Sequence, residues 1–328
     1  MSEKLLVPTF KLNDGTEIPA IAFGTGSVHK GEDVSGLVDN ALQAGFSHID
    51  TSAICKNEEY VGTAIRESGL DRSELYITTK FDGGDIEDEL HTSLSKIGVK
   101  FVDLYLIHFP QAITNEALED GWAQFEKLQE DGLTKSIGVS NFQVEHQRVL
   151  RVAKVVPTVN QIRFHPYNYA SWKELLELSA KNNIVIEAYS SLTPITSMPG
   201  GPLDPVLAKL SKRIGGTPTQ VIFKWVLAKG AVVVTTSSKR ERLDEYLAAP
   251  SLPDLTADEI AEIDAAGANP PSALRSWCYR KLRWNRSNLA HSLMLAYRSI
   301  LTAFIICLLL RIIPLTARTA TELVYQAL

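Results

Sequence analysis

The chain has 328 residues and a formal net charge of −5, from 33 Lys and Arg against 38 Asp and Glu. This mild acidic excess argues against nucleic acid as a partner, because phosphate binding requires clustered basic side chains. Cys55, Cys278 and Cys307 have neither paired nor metal-like spacing. We therefore expect no disulfide framework and no metal site, and a reducing, cytoplasmic compartment. The N-terminus "MSEKLLVPTF" is not typical of a secretory signal.

The charge is distributed unevenly along the chain. From Arg275 to the end there are eight Lys and Arg and one acid, Glu322. The first 274 residues therefore hold 25 basic side chains (33 − 8) and 37 acidic ones (38 − 1), a balance of −12. We expect two parts, an acidic body at residues 1–274 and a basic, apolar tail at residues 275–328.

Elements in the body follow a regular order. An Asn-Asp-Gly turn at residues 13–15 predicts an N-terminal β-hairpin. Apolar strand-like segments then alternate with amphipathic helical ones, several of which end in Gly. Eight such β-α units favour a (β/α)8 TIM barrel over an open doubly wound sheet, and no Gly-x-Gly-x-x-Gly motif supports a Rossmann domain. The predicted strands are "AIAFGTG", "FSHIDT", "LYITTK", "VDLYLIH", "KSIGVS", "PTVNQ", "IVIEAYS" and "AVVVTT".

Polar side chains stand at the ends of the predicted strands after the first. Barrel enzymes place their chemistry at the C-terminal ends of the strands. A single Lys or His there is more often a solvated or core residue than a catalyst, but a full set on one face favours a functional site. The set consists of Asp50, Lys80, His108, Ser140, Asn141, Gln161, Tyr189, Ser237 and Ser238.

The body resembles the aldo-keto reductases over residues 5–268. The motifs that carry the resemblance are, in order, "HIDTSAICKNEEYVG", "TTK", "DLYLIHFP", "GLTKSIGVSNF", "VNQIRFHPY", "EAYSSL", "TPTQVIFKW" and "TTSSKRERLDEYL". The last is similar to fungal ketoreductases such as the conjugated polyketone reductases. The resemblance implies reduction of an aldehyde or ketone to an alcohol with NADPH, without metal. The expected substrate is a bulky or conjugated carbonyl compound, with a biosynthetic pathway as one setting.

The resemblance also implies a catalytic set of Asp, Tyr, Lys and His, in which Tyr donates a proton and His orients the carbonyl group. Asp50, Lys80 and His108 match three of these positions. The alternative for these three is a buried ion pair with a core histidine. Cys55 occupies the Tyr position. Tyr60 is not a substitute, because it lies in the following helix, where an aromatic ring packs against the barrel.

A cofactor site is implied as well. Ser140, Asn141 and Gln161 match the residues that bind the nicotinamide carboxamide, where a bound cofactor would pair their buried polar groups. Tyr189 matches the ring that stacks on the nicotinamide, with core packing as its alternative. The other expected cofactor residues are Ser190, Leu192, Ser237, Ser238, Arg242 and Glu245.

One departure concerns the choice between NADPH and NADH. Thr236 stands where many family members have Lys, just before Ser237. Lys239 and Arg240 supply positive charge nearby or else face solvent. Arg242 favours NADPH, because a guanidinium forms charge-assisted bonds with a phosphate, and NADH stays open.

The thiol at residue 55 leaves three hypotheses open. A free thiol has a pKa near 8.5 against about 10 for a phenol, but a Cys side chain ends short of a phenol oxygen. The first hypothesis is a slow reductase that uses water, His108 or Cys55 as the acid. The second is a repurposed site in which Lys80, His108 or Cys55 promotes dehydration, isomerisation or cyclisation. The third is a catalytically inactive NADPH-binding protein.

Four aromatic residues are candidates for the substrate pocket. Phe23, Phe81, Phe109 and Phe142 lie on or beside strand ends. They either line an apolar cavity that suits a bulky ketone or pack within the barrel wall.

The tail contains the apolar run "ILTAFIICLLL", which is shorter than the roughly 20 residues of a membrane span. The upstream "RSWCYRKLRWNR" is basic and aromatic, as expected beside an anionic membrane. Three interpretations stay open: a membrane-associated helix at residues 299–315, a buried helix that caps the barrel, or a mispredicted gene end. The sequence does not indicate an oligomeric state.

Overall fold

A computed structural model describes residues 7–26, 29–113, 117–147, 149 and 153–277. The chain divides into two units, Met1–Pro271 and Ser272–Leu328, and of the second only residues 272–277 are described. The predicted membrane-associated segment at residues 299–315 therefore lies outside the described residues. In the described part of the chain, no helix has the length and apolar character that a membrane crossing requires.

The predicted N-terminal hairpin opens the described part of the chain. Strands β1 Thr9–Lys11 and β2 Glu17–Pro19 pair antiparallel. Gly15 in their turn has φ 89°, which a residue without Cβ adopts at little cost. The local turn signal at residues 13–15 therefore produces the hairpin that it predicts.

Eight parallel strands of the first unit form a closed barrel among the described residues, which confirms the predicted (β/α)8 fold. They are β3 Ile21–Gly24, β4 His48–Asp50, β5 Tyr76–Phe81, β6 Val102–Ile107, β7 Thr134–Ser140, β8 Val159–Arg163, β9 Val185–Tyr189 and β10 Ala231–Thr235. Strands β3 to β9 pair in chain order, and β10 closes the barrel between β9 and β3. Every residue of β4, β5 and β6 is buried, because the barrel interior covers one face of each strand and helices cover the other.

The hairpin is attached to one end of this barrel. The Asp14 carboxylate accepts a hydrogen bond of 2.6 Å from the Ser136 hydroxyl near the start of β7. Asn13 Nδ2 donates to the Pro157 carbonyl oxygen at 3.0 Å, just before β8. Both contacts lie on the N-terminal side of the barrel, so the hairpin leaves the opposite end open.

Helices surround the barrel, and their ends follow local sequence rules. The Asp85 side chain caps one helix by accepting from the Glu87 and Asp88 amides. Thr217 and Thr256 each form a capping box with the residue three positions later. The described helices are α1 Ser35–Ala44, α2 Glu58–Glu67, α3 Ile86–Ile97, α4 Leu118–Glu130, α5 Lys173–Lys181, α6 Thr193–Thr196, α7 Leu203–Ile214, α8 Pro218–Ala228, α9 Arg240–Ala248 and α10 Ala257–Gly267.

The main core lies between the barrel wall and the helices. Phe125 of α4 stacks on Tyr105 of β6 at 4.8 Å between ring centroids and meets Phe81 of β5 edge-on. Burying an aromatic ring of this size contributes roughly 1.5–3 kcal/mol of stability. Tyr60 of α2 is partly buried against the same core, as predicted. These contacts hold the strand ends in fixed positions around the open end of the barrel.

Candidate active site

Asp50 and Lys80 form a buried ion pair where β4 and β5 lie side by side. The Lys80 ammonium donates to Asp50 Oδ1 and Oδ2 at 2.7 and 2.8 Å, and to the Thr51 carbonyl oxygen at 2.9 Å. Removing two charges from water is costly, and these hydrogen bonds offset the cost. The three donors of the ammonium are therefore all committed to the barrel wall.

Gln161 extends this pair into the barrel interior. Its Nε2 donates to Asp50 Oδ2 at 2.8 Å and to Glu187 Oε2 at 2.9 Å. Both amide protons are thus used within the barrel, and only the amide oxygen is left for a carboxamide ligand. In the structure, Gln161 therefore uses its amide protons to bind the acidic side chains of Asp50 and Glu187.

Glu187 is a residue that the sequence motifs did not single out, although it interrupts the apolar segment "IVIEAYS". Burial, reinforced by the charge of Asp50, raises the pKa of Glu187 to about 8. Burial also lowers the pKa of His48 to about 4. Both groups are therefore neutral at pH 7, and the 3.8 Å between His48 Nε2 and Glu187 Oε1 is not an ion pair. Glu187 Oε1 has no hydrogen-bond partner within the described residues.

Cys55 lies in a short 3₁₀ turn, Ala53–Cys55, that follows β4. The thiol is buried, and its Sγ lies 2.9 Å from the Ser52 hydroxyl oxygen. A Cβ added to Gly26 would lie 3.2 Å from the same sulfur. In the part of the chain that the structure covers, no hydrogen bond joins Cys55 to Lys80. The thiol at the predicted tyrosine position therefore does not take the place of a hydroxyl bound to the ammonium.

His108 follows β6 and contacts an acid that the predicted strand-end set does not include. Its Nδ1 lies 2.6 Å from Asp82 Oδ1, although the ring N–H is not aligned for a hydrogen bond. The other Asp82 oxygen accepts from the Ile54 amide at 2.8 Å. The imidazole also stacks on Phe109, with ring centroids 4.4 Å apart. Asp82 directly follows β5, so the strand-end rule that selected Lys80 also identifies it.

A polar rim joins the ends of β6, β7, β8 and β9. Asn141, which has a left-handed φ of 59°, donates to the His108 carbonyl oxygen at 3.0 Å. Its side-chain oxygen accepts from the Tyr189 hydroxyl at 2.8 Å. The Ser140 hydroxyl donates to the Gln161 carbonyl oxygen at 2.8 Å. The residues expected to hold the nicotinamide therefore lie together, with Tyr189 half-buried and its pKa raised by burial.

Two further expected cofactor residues follow β9. Ser190 adopts a left-handed conformation with φ 58°, and its carbonyl oxygen accepts from the Thr193 amide at 3.0 Å. Leu192 is the residue before α6 and is partly buried against the core. Both lie in the turn directly after Tyr189, beside the polar rim.

Three of the four aromatic pocket candidates are buried in the barrel wall. Phe23, Phe81 and Phe142 are each at most 5% exposed, which favours their packing alternative. Phe109 is 39% exposed and stacks on His108. Of these four rings, only Phe109 offers apolar surface to a ligand beside His108.

The loop between β10 and α9 has the features of an anion site. Helix α9 has no side-chain cap at its N-terminus, and within the described residues its first two amides, of Arg240 and Glu241, are left to bind an anion. The Thr236 hydroxyl oxygen is buried and has no partner among the residues described. Ser237 is buried beside it, while Ser238 and Arg242 are exposed. These groups fit a phosphate ligand.

Glu245, the expected adenine contact, is bound to the neighbouring helix. Its carboxylate accepts from the Thr217 hydroxyl, and its carbonyl oxygen accepts from Gln220 Nε2 at 2.8 Å. Arg240 pairs with Asp244 at 2.8 Å. Arg242, in the first turn of α9, is therefore an exposed guanidinium that forms no ion pair within the described residues.

Comparison with known proteins identifies the class. Residues 20–198 and 199–268 match the sequence model of the Aldo/keto reductase family, so the chain belongs to this family. The resemblance found in the sequence motifs is thereby confirmed.

Two fungal relatives and one solved structure are representative of the matches. An NAD/NADP-dependent indole-3-acetaldehyde reductase of Schizosaccharomyces pombe is 37% identical over 77% of this chain and 92% of its own length. An NADPH-dependent alpha-keto amide reductase of Saccharomyces cerevisiae is 34% identical over 79% of this chain and 90% of its own length. A Bombyx mori aldo-keto reductase, solved in complex with NADP, is 30% identical with a TM-score of 0.71, and the match covers 79% of this chain and 92% of that one.

Proposed function

We propose that the chain reduces an aldehyde or ketone to an alcohol with NADPH. The observation that carries this proposal is the convergence of the Lys80–Asp50 pair, His108 and the Asn141–Tyr189 rim at the open end of an aldo/keto reductase barrel. Such a site needs a bound reductant, and the phosphate-binding features before α9 fit the phosphate end of NADPH.

The proposed catalytic roles follow from the charges and hydrogen-bonding groups that each side chain does not already use within the protein. Bound NADPH would supply the hydride to the carbonyl carbon. The side-chain oxygens of Asn141 and Ser140 would accept from the carboxamide N–H groups, because their own donors are used within the polar rim. The Tyr189 ring would lie against the nicotinamide. The Lys80 ammonium would place a fixed positive charge near the reacting carbonyl group, where negative charge develops. Gln161 would keep Asp50 oriented toward Lys80 rather than bind the cofactor through its amide protons.

A bulky or conjugated carbonyl compound is the proposed substrate, in a biosynthetic setting in the cytoplasm. The exposed Phe109 ring beside His108 supports this class, because an aromatic face favours a flat, apolar ligand. The relatives that are named as an indole-3-acetaldehyde reductase and an alpha-keto amide reductase support a carbonyl substrate of this kind further.

We also propose that the barrel domain ends near residue 274 and that residues 275–328 form a separate segment. The change in charge at this point and the division of the chain after Pro271 support this boundary. Mass spectrometry of the expressed protein tests the segment directly. Detection of peptides beyond Trp277 supports it, and a chain that ends before them contradicts it. Partition of the purified chain onto anionic vesicles tests membrane contact.

The cofactor proposal is tested by titration of the purified protein with NADPH and with NADH. We expect nicotinamide fluorescence to change at lower NADPH than NADH concentrations, and NADPH to be consumed when para-nitrobenzaldehyde or phenanthrenequinone is added. Absence of binding would contradict both a reductase and an inactive NADPH-binding protein. Binding without consumption would favour the inactive protein.

A further inference from the structure

We propose that Asp82 and His108 form a proton-donating pair that replaces the phenol missing at residue 55. The proposal rests on the proposed reductase function and adds Asp82 as a positioning residue and His108 as the acid. Its starting point is the 2.6 Å contact between Asp82 Oδ1 and His108 Nδ1.

The contact determines which nitrogen carries a proton. A carboxylate can only accept hydrogen bonds, and a bare Nδ1 lone pair at 2.6 Å would be repelled by it. The 2.6 Å separation places the Asp82 oxygen against the Nδ1 side of the ring, although the N–H is not aligned for a hydrogen bond. The contact therefore assigns a proton to Nδ1 of His108.

This tautomer changes what His108 does to a carbonyl oxygen. With the proton on Nδ1, a neutral ring presents a lone pair at Nε2, which a carbonyl oxygen avoids. Nε2 donates only when both ring nitrogens carry a proton, and in that form the Asp82 carboxylate lies against the Nδ1 side of the ring. Beside Asp82, His108 therefore acts on a carbonyl oxygen as a proton donor and not as a neutral ring.

The position of the ring suits this role. Nδ1 is buried against Asp82, which leaves Nε2 as the nitrogen that a substrate can reach on a side chain that is 17% exposed. Stacking on Phe109 fixes the plane of the ring. Asp82 is held in turn by the Ile54 amide, in the same short turn that contains Cys55.

The neighbouring donors are already engaged. The Lys80 ammonium has three oxygen acceptors in the barrel wall. The Tyr189 hydroxyl donates to Asn141. Compared with Lys80 and Tyr189, His108 is the side chain whose outer nitrogen, Nε2, has no hydrogen-bond partner among the described residues.

The proposed step conserves atoms and electrons. The carbonyl carbon accepts a hydride from the reduced nicotinamide, and the π electrons of the C=O bond move to oxygen. That oxygen takes the proton from Nε2 of the His108 imidazolium, which gives the alcohol and a neutral ring with its proton still on Nδ1. Solvent returns a proton to Nε2 before the next turnover.

Asp82→Asn tests the pair, because asparagine keeps an oxygen acceptor for the Ile54 amide and places an uncharged amide donor where the other carboxylate oxygen faces His108 Nδ1. With para-nitrobenzaldehyde and NADPH, we expect kcat to fall about tenfold or more and KM to change less than about threefold. In a Cys55→Tyr background the phenol supplies the proton, so Asp82→Asn should lower kcat less than about threefold. An unchanged kcat, or equal losses in both backgrounds, would overturn the proposal.

A second readout needs no cofactor. Nitrogen NMR of isotope-labelled histidine should show His108 protonated on Nδ1 in the cofactor-free protein, and Asp82→Asn should move the proton toward Nε2. A ring without a proton on Nδ1 in the unsubstituted chain would overturn the pair. Failure of the reductase function would look different, since neither the unsubstituted chain nor Cys55→Tyr would consume NADPH while the NMR result would still stand.

Discussion

At residue 55, where the motif predicts a proton-donating tyrosine, a buried thiol lies 2.9 Å from the Ser52 hydroxyl oxygen. The nearby ion pair of Lys80 and Asp50 is intact, with both oxygens of the carboxylate bound to the ammonium. In the proposed site, a thiol at residue 55 would therefore leave out one hydroxyl while the Lys80–Asp50 ion pair is kept.

Introducing the phenol should accelerate the reaction. We expect Cys55→Tyr to raise kcat for para-nitrobenzaldehyde at least tenfold, because general acids contribute about 10²–10⁴-fold. Cys55→Phe is the matched control, since it adds the ring without the hydroxyl, and it should give no gain. Equal rates for the tyrosine and phenylalanine variants would show that the missing hydroxyl does not limit the enzyme.

Glu187 makes stability depend on pH in a defined direction. Its carboxyl ionises near pH 4.5 in the unfolded chain but holds its proton to about pH 8 in the barrel, where burial raises its pKa. The unfolded state binds fewer protons between these limits, so the free energy of unfolding falls as pH rises through them.

Glu187→Gln should remove this dependence, because the amide is uncharged and keeps an oxygen for Gln161. We expect the variant to gain a few kcal/mol over the unsubstituted chain between about pH 5 and pH 8, at about 1.4 kcal/mol per pKa unit. Urea unfolding of both proteins at several pH values measures this difference in the free energy of unfolding. If the two free energies changed with pH in parallel, the raised pKa of Glu187 would be contradicted.

Within each strand, the alternation of side chains decides which residues reach the site. On β5, Thr78 bonds to His48 and Lys80 to Asp50 inside the barrel, whereas Thr79 bonds to Glu58 of α2 outside it. Phe81 has the parity of Thr79 and packs outward on α4. The alternation of residues in "YITTKF" already places Phe81 on the outward face with Thr79. The sequence alone could therefore have excluded Phe81 from the pocket candidates.

Other contacts could not be derived from the sequence. The eight strands and the hairpin were predictable, because apolar runs and turn residues are local signals. The bridge of Gln161 to Asp50 joins residues 111 positions apart, and it depends on the level at which each side chain enters the closed barrel. The Asp82–His108 contact depends in the same way on how β5 and β6 are placed, although Asp82 was recognisable as a strand-end acid.

Packing between α2 and α3 depends on one glycine. A Cβ at Gly62 would lie 2.4 Å from the Ile97 carbonyl oxygen, so the helices must separate to admit it. We expect Gly62→Ala to destabilise the chain by about 1–3 kcal/mol in urea unfolding. Gly36→Ala in α1 is the control, since nothing lies within 4 Å of the added Cβ. Alanine there should be neutral or stabilise the chain by up to about 1 kcal/mol, and equal losses at both sites would contradict the packing.

At the scale of the whole barrel, the contacts that attach the hairpin and the residues of the candidate site lie at opposite ends. The hairpin is tied to the N-terminal side through Asp14 and Ser136, while the ion pair, His108 and the polar rim occupy the other end. This division is general for (β/α)8 barrels, and it explains why strand-end residues indicate the site from the sequence alone.

Hydride transfer from NADPH to a carbonyl carbon is the reaction that unites these features of the barrel. It can be followed with NADPH that carries deuterium at the hydride-bearing carbon of the nicotinamide ring, together with para-nitrobenzaldehyde and the purified full-length protein. We expect a benzylic alcohol that carries deuterium on its carbinol carbon, detected by mass spectrometry. Failure to form this alcohol while NADPH binds, or an alcohol without the label, would contradict hydride transfer in this barrel.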